Sequence, residues 1–584
     1  MPSYIEGMDS RTAAHVLSQI GALLNVKGEQ KFKARAYAGA ARSLIALDTD
    51  DLGPLLRSGE LADTPGIGPA TLSVIRELVE TGESSYLNRL REGIPEGLLD
   101  LLRVPGLNAA KVQLIHETLG VETVEDLERV AHNGQLAELP KFGKKTAEKI
   151  LRGIEILRRN AHLKRFPAAA IEAHLLLANV VKHPDVVHAE VAGSIRRHNE
   201  LVADIDIVAE CSADPAMVAA SFARSPGVSE SKTAENRGSV YIRFVDGTHL
   251  DMHCVTKVDY PVALWRATGS TAHVEEMNVL AKNRGFEIAG NSLIGKSGNR
   301  IALKNEDAFF AALDLEPIPP EMREGMGEIE AAASRELPNL VTFDDLRGVL
   351  HCHSDYSDGA ATIEEMANAA KERRWDYIGI SDHSESAFYA GGVKRDKLLR
   401  QHEEIDRLNA QMKGFRILKG IEADILADGQ LDYDASVLGT FDYVIGSIHS
   451  RFSMDGETMT KRVLAALDDP HLTILAHPTG RLLLSREPYA LDVEAVLEKA
   501  AQVGVVVELN ADPHRLDLDW RYCRQAKELG VMIEIGPDAH STAGLDNVHF
   551  GIGMARKAWL EAGEIVNTRS ADDVVRLARK RRGR

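Results

Sequence analysis

The 584-residue chain has only four cysteines, at positions 211, 254, 352 and 523, with no Cys-x-x-Cys among them. No disulfide framework is readable, and a reducing cytoplasm fits. No apolar run approaches the roughly 20 residues that span a bilayer, so a membrane partner is not expected. Residues 1–6 carry neither the basic start nor the apolar stretch of a signal peptide. Basic charge is also scarce: 69 Lys and Arg stand against 87 Asp and Glu, a net charge of −18. Taken alone, that balance argues against a nucleic-acid partner. An acidic total can still hide local basic faces, and metal-binding carboxylates inflate the negative count. The basic tail, residues 579–584, reads as a solvated end.

The length calls for three or four domains. The organising stretch is His351-Cys-His353-Ser-Asp-Tyr-Ser-Asp358, which follows the apolar lead Gly348-Val-Leu350. Six further apolar runs end in a polar or charged side chain. They close on Asp382-His383, Glu422, His449, His477, Asn510 and Asp538-Ala-His540. Helix-like stretches such as 363–374 and 493–503 lie between them. Seven strands alternating with helices suggest a (β/α) barrel, whose strand C-termini form one face. His351, His353, Asp358, His383, Glu422, His449, His477, Asp538 and His540 would then share a pocket. Imidazoles and carboxylates in that mixture suit borderline or hard divalent ions, and the set reads as a polynuclear metal site.

Nearer the N-terminus, amphipathic helices are expected over residues 9–47, with Ala14, Leu17, Ile20 and Leu24 at helical spacing. Then comes Thr64-Pro-Gly66-Ile-Gly68 before an expected helix. Two cousins follow at Val104-Pro-Gly106-Leu-Asn108 and Leu139-Pro-Lys141-Phe-Gly143. Glycines there permit positive φ and let backbone N–H groups face a phosphate. Three copies read as helix-hairpin-helix units that hold the DNA backbone without reading sequence, with Gly66, Gly68, Gly106 and Gly143 as contacts. Asn108 and Lys141 replace glycines in the second and third.

In the middle of the chain, Gly193-Ser194-Ile-Arg-Arg197 precedes Asp204-Ile-Asp206, and Asp251 lies in a second alternating segment. Three carboxylates on adjacent strands can hold two Mg²⁺ or Mn²⁺ ions and clamp an in-line phosphoryl displacement. Gly193, Ser194 and Arg197 offer donors to a triphosphate.

The His-x-His, Ser-Asp-His, Gly-Ile-Glu, Ser-Ile-His, Ala-His-Pro and Asp-Ala-His set resembles the PHP (polymerase and histidinol phosphatase) domain. That resemblance implies a distorted barrel holding up to three divalent ions (Mn²⁺, Zn²⁺ or Fe²⁺) for phosphoester hydrolysis. The Gly-Ser-x-Arg-Arg and Asp-x-Asp segments resemble the nucleotidyltransferase palm of family X DNA polymerases. Together with the hairpins, the whole chain resembles a bacterial family X polymerase with a PHP domain. The expected fold is multidomain, α and α/β. It comprises a helical DNA-binding domain over 1–82, fingers-like hairpins over 83–165, the palm over 166–256, the thumb over 257–316, a linker over 317–345 and a (β/α)7 PHP barrel over 346–584. The resemblance adds Gly269 and Ser270 as nucleotide contacts. It implies a monomeric cytoplasmic repair enzyme that acts on gapped or nicked DNA, uses dNTPs and trims 3′ ends.

The sequence departs from the family in three places. Arg266 and Ala267 replace an aromatic pair before Thr268-Gly269-Ser270, and Val274 replaces an Asn. The positions that carry lyase lysines in animal relatives fall near Ala70 and Val74. Ala203 replaces a Gly before Asp204. A second reading is therefore a PHP nuclease whose palm only holds DNA. A DNA-bound scaffold fits poorly with nine ligands, since structural metal sites need about four. A small-molecule phosphatase would not need three hairpins.

Overall fold

The computed structural model describes residues 8–583 except 27–30, 48, 50, 92–96, 141 and 236. The chain divides into two compact units. One runs to Arg196 and includes Leu201–Pro317 and Leu484–Arg486. The other contains Arg197–Glu200, Ile318–Leu483 and the chain from Glu487 onward.

The first unit opens with the helices Ser10–Val26 and Lys31–Leu47. Ala14, Leu17, Ile20 and Leu24, spaced three or four apart, all face the core beside Tyr37, Ala41 and Leu44. The three hairpin turns share one geometry. The N–H of Ile67, Leu107 or Phe142 donates to the carbonyl of Thr64, Val104 or Leu139 at 3.1, 3.1 and 3.0 Å. That apolar residue is buried in the first and third turns. Gly66 and Gly106 take φ of +88° and +94°, a left-handed conformation costly for residues with a Cβ. Asn108 explains its own substitution: its side chain caps the helix Ala109–Leu119 by accepting from the Lys111 N–H at 3.0 Å. Lys141 lies outside the described residues.

After the hairpins comes a five-stranded sheet in the order Val186–Val191, Ile205–Cys211, His249–Val255, Ser239–Phe244, Val228–Thr233. Ile205–Cys211 and His249–Val255 are parallel, and every other pairing is antiparallel. The helices Tyr260–Thr268 and Thr271–Asn283 follow. Trp265 is fully buried, donates to His273 Nε2 at 3.1 Å and packs on Phe309 at 4.5 Å.

The second unit is a barrel of parallel strands: Gly348–Val349, Tyr377–Ile380, Arg416–Lys419 continuing as Glu422–Asp424, Ile445–Ser447, Ile474–Leu475, Val506–Asn510 and Ile533–Gly536. Parallel bridges His383–Glu422 and Cys352–Ala539 close the ring. The third strand breaks at Gly420-Ile421, which is the distortion of the (β/α)7 barrel. Helices Ile363–Glu372 and Val493–Val503 occupy the expected stretches. Residues 317–345, expected as a linker, are packed rather than extended. Met322, Ile329 and Leu340 are buried, and Glu321 pairs with Arg556 at 2.7 Å. The segment packs as part of the second unit because its apolar residues have a core to join. Among the described residues, no helix is long and apolar enough to cross a membrane.

Candidate active sites

In the first unit the sheet register decides the carboxylate geometry. Asp206 pairs directly with Asp251 on the neighbouring parallel strand, so both side chains leave the same face. Asp204 stands just ahead of the strand Ile205–Cys211, two residues before Asp206. Asp204 and Asp251 line a cavity of about 380 Å³ with Lys232, Arg243 and His249. Burial, then the charges of Asp206 and Asp204, push the Asp251 carboxyl up to about 7. Such mutual repulsion is relieved by a cation, so the trio suits divalent ions.

The turn beside these carboxylates is shaped for a ligand. Gly193 takes φ +61°, and a Cβ there would lie 1.8 Å from Asp206 Oδ2, so no larger residue fits. The Ser194 hydroxyl is buried without a hydrogen-bond partner. Arg197, expected to reach a triphosphate, pairs instead with Glu324 at 2.9 Å, and Lys557 holds the same carboxylate. Its neighbour Arg196 grips Glu306 at two points, 3.1 and 2.9 Å, and Thr268 at 2.9 Å. Ser270 caps the helix Thr271–Asn283, accepting from the His273 N–H at 3.1 Å, and a Cβ on Gly269 would crowd His273 at 2.7 Å. Arg266 keeps Nε and Nη2 buried without partners, and burial lowers its pKa. Ala267 packs against Ala192, Val208 and Tyr260.

In the second unit all nine expected side chains converge. They form four overlapping groups whose ligand atoms lie within 4.8 Å: His353, Asp358, His383 and His540; His351, His353 and Asp538; His351, Glu422 and His477; His383, Glu422 and His449. Glu422 lies at the centre, with Oε2 2.8 Å from His383 Nδ1, and Oε1 3.0 Å from His477 Nε2 and 3.3 Å from His449 Nε2. His353 Nε2 lies 3.4 Å from Asp538 Oδ1. Backbone strain accompanies the cluster: His477 and Asp538 have φ of +28° and +48°.

The electrostatics point to cations. His351 Nε2, both ring nitrogens of His353 and His477 Nδ1 are buried with no hydrogen-bond partner. Buried polar atoms are rarely left so, and lone pairs converging on shared space suit metal ions. Around His449, burial is outweighed by the Glu422 and Asp424 carboxylates, which lift the imidazole to about 9. His540 is lifted to about 9 by Asp358 and Asp538 against its own burial. Burial and the neighbouring His383 push His353 down to about 3. The pocket opens at Asp358 and His540, whose side chains are 34% and 40% exposed while the other seven are nearly covered.

Four family models match. They are the PHP domain over residues 350–511, the DNA polymerase beta thumb over 263–324, a helix-hairpin-helix domain over 8–84 and a SAM-like helix-hairpin-helix tandem over 98–155. The DNA polymerase/3′-5′ exonuclease PolX of Bacillus subtilis is 36% identical over 576 residues, covering 97% of this chain and 99% of that one. The chain belongs to the bacterial family X DNA polymerases with a PHP domain. Two shorter relatives match only part of it. A probable phosphatase of Thermoanaerobacter sp. (strain X514) is 27% identical, over 37% of this chain and 89% of its own length. One of Clostridium acetobutylicum is 32% identical, over 34% of this chain and 80% of its own.

For this family X chain, the sequence left several pocket residues unremarked. Glu508 is buried mid-strand and accepts from His351 Nδ1, from the His477 N–H at 2.6 Å and from Asn510 Nδ2 at 3.2 Å. Glu534 pairs with Glu508 across the parallel register; burial, then the Glu508 charge, pushes it up to about 8. Asp424 holds His449 Nδ1 at 2.8 Å, and Arg515 Nε lies 3.4 Å from Asp538. An available signal was the acid inside each apolar run, Val505-Val-Val-Glu508-Leu and Val531-Met-Ile-Glu534-Ile.

Proposed function

We propose that this chain is a gap-filling DNA repair polymerase that also trims 3′ ends with its PHP domain. The convergence of nine His, Asp and Glu side chains at six of the seven strand ends, several with partnerless buried lone pairs, carries the trimming half. The Asp206–Asp251 register supports the other half.

In the palm, Asp204, Asp206 and Asp251 would hold Mg²⁺ or Mn²⁺, which would supply positive charge against that developing on a transferred phosphoryl group. Gly193 brings backbone close to Asp206, and the Ser194 hydroxyl is free to donate to a phosphate oxygen of a dNTP. Arg197 joins that contact only by leaving Glu324. Gly269 and Ser270 complete the nucleotide site at the start of the helix Thr271–Asn283. The hairpin turns at Gly66, Gly68, Gly106 and Gly143 face the backbone of gapped or nicked DNA.

In the PHP domain, His351, His353, Asp358, His383, Glu422, His449, His477, Asp538 and His540 would hold up to three ions drawn from Mn²⁺, Zn²⁺ and Fe²⁺. When bound there, such ions would lower the pKa of an attacking water toward neutral pH and polarise the phosphodiester. Glu508 fixes the His351 ring and Asp424 the His449 ring, as hydrogen-bonded carboxylates do for ligating imidazoles. Asp358 and His540, on the open edge, are where a DNA end enters. Working boundaries are 1–82 and 83–165 for the hairpin domains, 166–256 for the palm, 257–316 for the thumb, 317–345 for the connecting segment and 346–584 for the PHP domain. The protein acts as a cytoplasmic monomer.

A 5′-labelled duplex with a one-nucleotide gap, incubated with Mn²⁺ with and without dNTPs, tests both halves. Extension with dNTPs and shortening without them are expected. Shortening alone refutes the polymerase half, and extension alone refutes the trimming half.

A further inference from the structure

Phe388 and Tyr389 are 84% and 68% exposed, side by side in the short turn Phe388–Ala390. Isolated surface aromatics are ordinary, but Tyr389 stands at the rim of the nine-residue pocket with Phe388 next to it in the chain. The Tyr389 ring meets His383 edge-on at 6.0 Å and His449 edge-on at 5.9 Å between centroids. The segment carrying the rings is tied at both ends. The Ser384 N–H donates to Glu422 O at 2.9 Å, and the Val393 N–H to His383 O at 2.8 Å. Between them, the Ser386 N–H donates to Asp432 Oδ2 at 2.8 Å, and Ala387 and Ala390 are buried. The backbone is anchored while the two rings face outward.

We propose that Phe388 and Tyr389 form a stacking platform for the last bases of an unpaired DNA 3′ end whose terminal phosphodiester lies in the nine-residue pocket. This rests on the 3′-trimming reading above. Every base has a π face, so aromatic stacking holds single strands without reading sequence. The Tyr389 ring lies some 6 Å from two of the ligand imidazoles, so a base stacked on it is next to the bond to be cut. Base faces inside a duplex are covered by their neighbours. The platform therefore favours frayed or mismatched ends over paired ones, making these residues determinants of substrate preference.

The test compares the full-length protein with Phe388→Ala/Tyr389→Ala on two single-stranded oligonucleotides. One is ordinary, and the other has its last two 3′ nucleotides abasic. On the ordinary strand kcat/KM should fall roughly 5- to 150-fold, the range for losing one stacked base. On the abasic strand the variant should match the wild type within about twofold, and its metal content should be unchanged. Phe388→Trp/Tyr389→Trp should retain trimming of the ordinary strand. Equal losses on both strands, a loss of bound metal, or no loss on either strand overturns the platform. A wild-type protein that cuts neither strand with Mn²⁺ refutes the trimming reading, and the platform falls with it.

Discussion

Replacing Glu508 with Gln preserves the side chain's shape and removes one charge from the base of the PHP pocket. In the native site Oε1 accepts from His351 Nδ1, while Oε2 accepts from the His477 N–H at 2.6 Å and Asn510 Nδ2 at 3.2 Å. A carboxamide accepts at one end only. With its NH2 group toward His477 and Asn510, donors face donors in a fully buried site. With its NH2 group toward His351, the ring must accept at Nδ1 and carry its proton on Nε2. That nitrogen stands 3.5 Å from Glu422 and 3.7 Å from Asp538, where a metal ligand needs a lone pair. Either orientation costs about 1–3 kcal/mol, the penalty of a buried unsatisfied polar group. The expected result is a 10- to 100-fold weaker metal affinity, typical of losing a ligand-orienting partner. Competition with a chelator, read by metal analysis of the protein, measures it, and primer extension should be unchanged. Wild-type affinity in Glu508→Gln would refute the assignment of Glu508 as the group that orients His351.

Protons compete with metal at His449 and His540, both lifted to about 9. Metal affinity should therefore rise with pH up to about 9, by as much as ~100-fold per unit where both protons are displaced; a flat profile by chelator competition refutes this. The sign for stability agrees: these two histidines and Glu534, raised to about 8, bind protons in the folded state that the unfolded chain has released. Chelated protein should thus lose Tm between pH 7 and 9, and metal should restore it. Asp206→Ala should cut nucleotidyl transfer by orders of magnitude in a primer-extension assay, since a lost ligand removes several kcal/mol of charge stabilisation. Borohydride should trap no adduct between abasic DNA and the helix Pro69–Thr81 at Ala70 or Val74, since neither offers an amine and Val74 is buried. With Mn²⁺ on gapped DNA, kcat/KM for a dNTP should exceed that for its rNTP by less than about tenfold, since Ala267 lacks the bulk to exclude a hydroxyl. A preference of several hundredfold rules out that open sugar gate.

What the sequence by itself determined follows from short-range rules. Strand periodicity placed seven apolar runs, and a His, Asp or Glu at or just past six of their ends marked all nine pocket residues. Gly-containing turns before amphipathic helices marked the hairpins, because positive φ at Gly66 and Gly106 is a local demand. Other features required the assembled structure. Glu508 goes unremarked in its apolar run; the closed barrel and the parallel register set it against Glu534 and within hydrogen-bond reach of His351. Arg197 looks free for a phosphate until Glu324, 127 residues away, takes its guanidinium. Residues 317–345 look like a spacer until Met322 and Ile329 find a core, and the fold leaves Phe388 and Tyr389 outside. Composition and periodicity specify which side chains an element presents. Register and long-range packing decide which distant partner each one meets, and those pairings were set only by the tertiary structure.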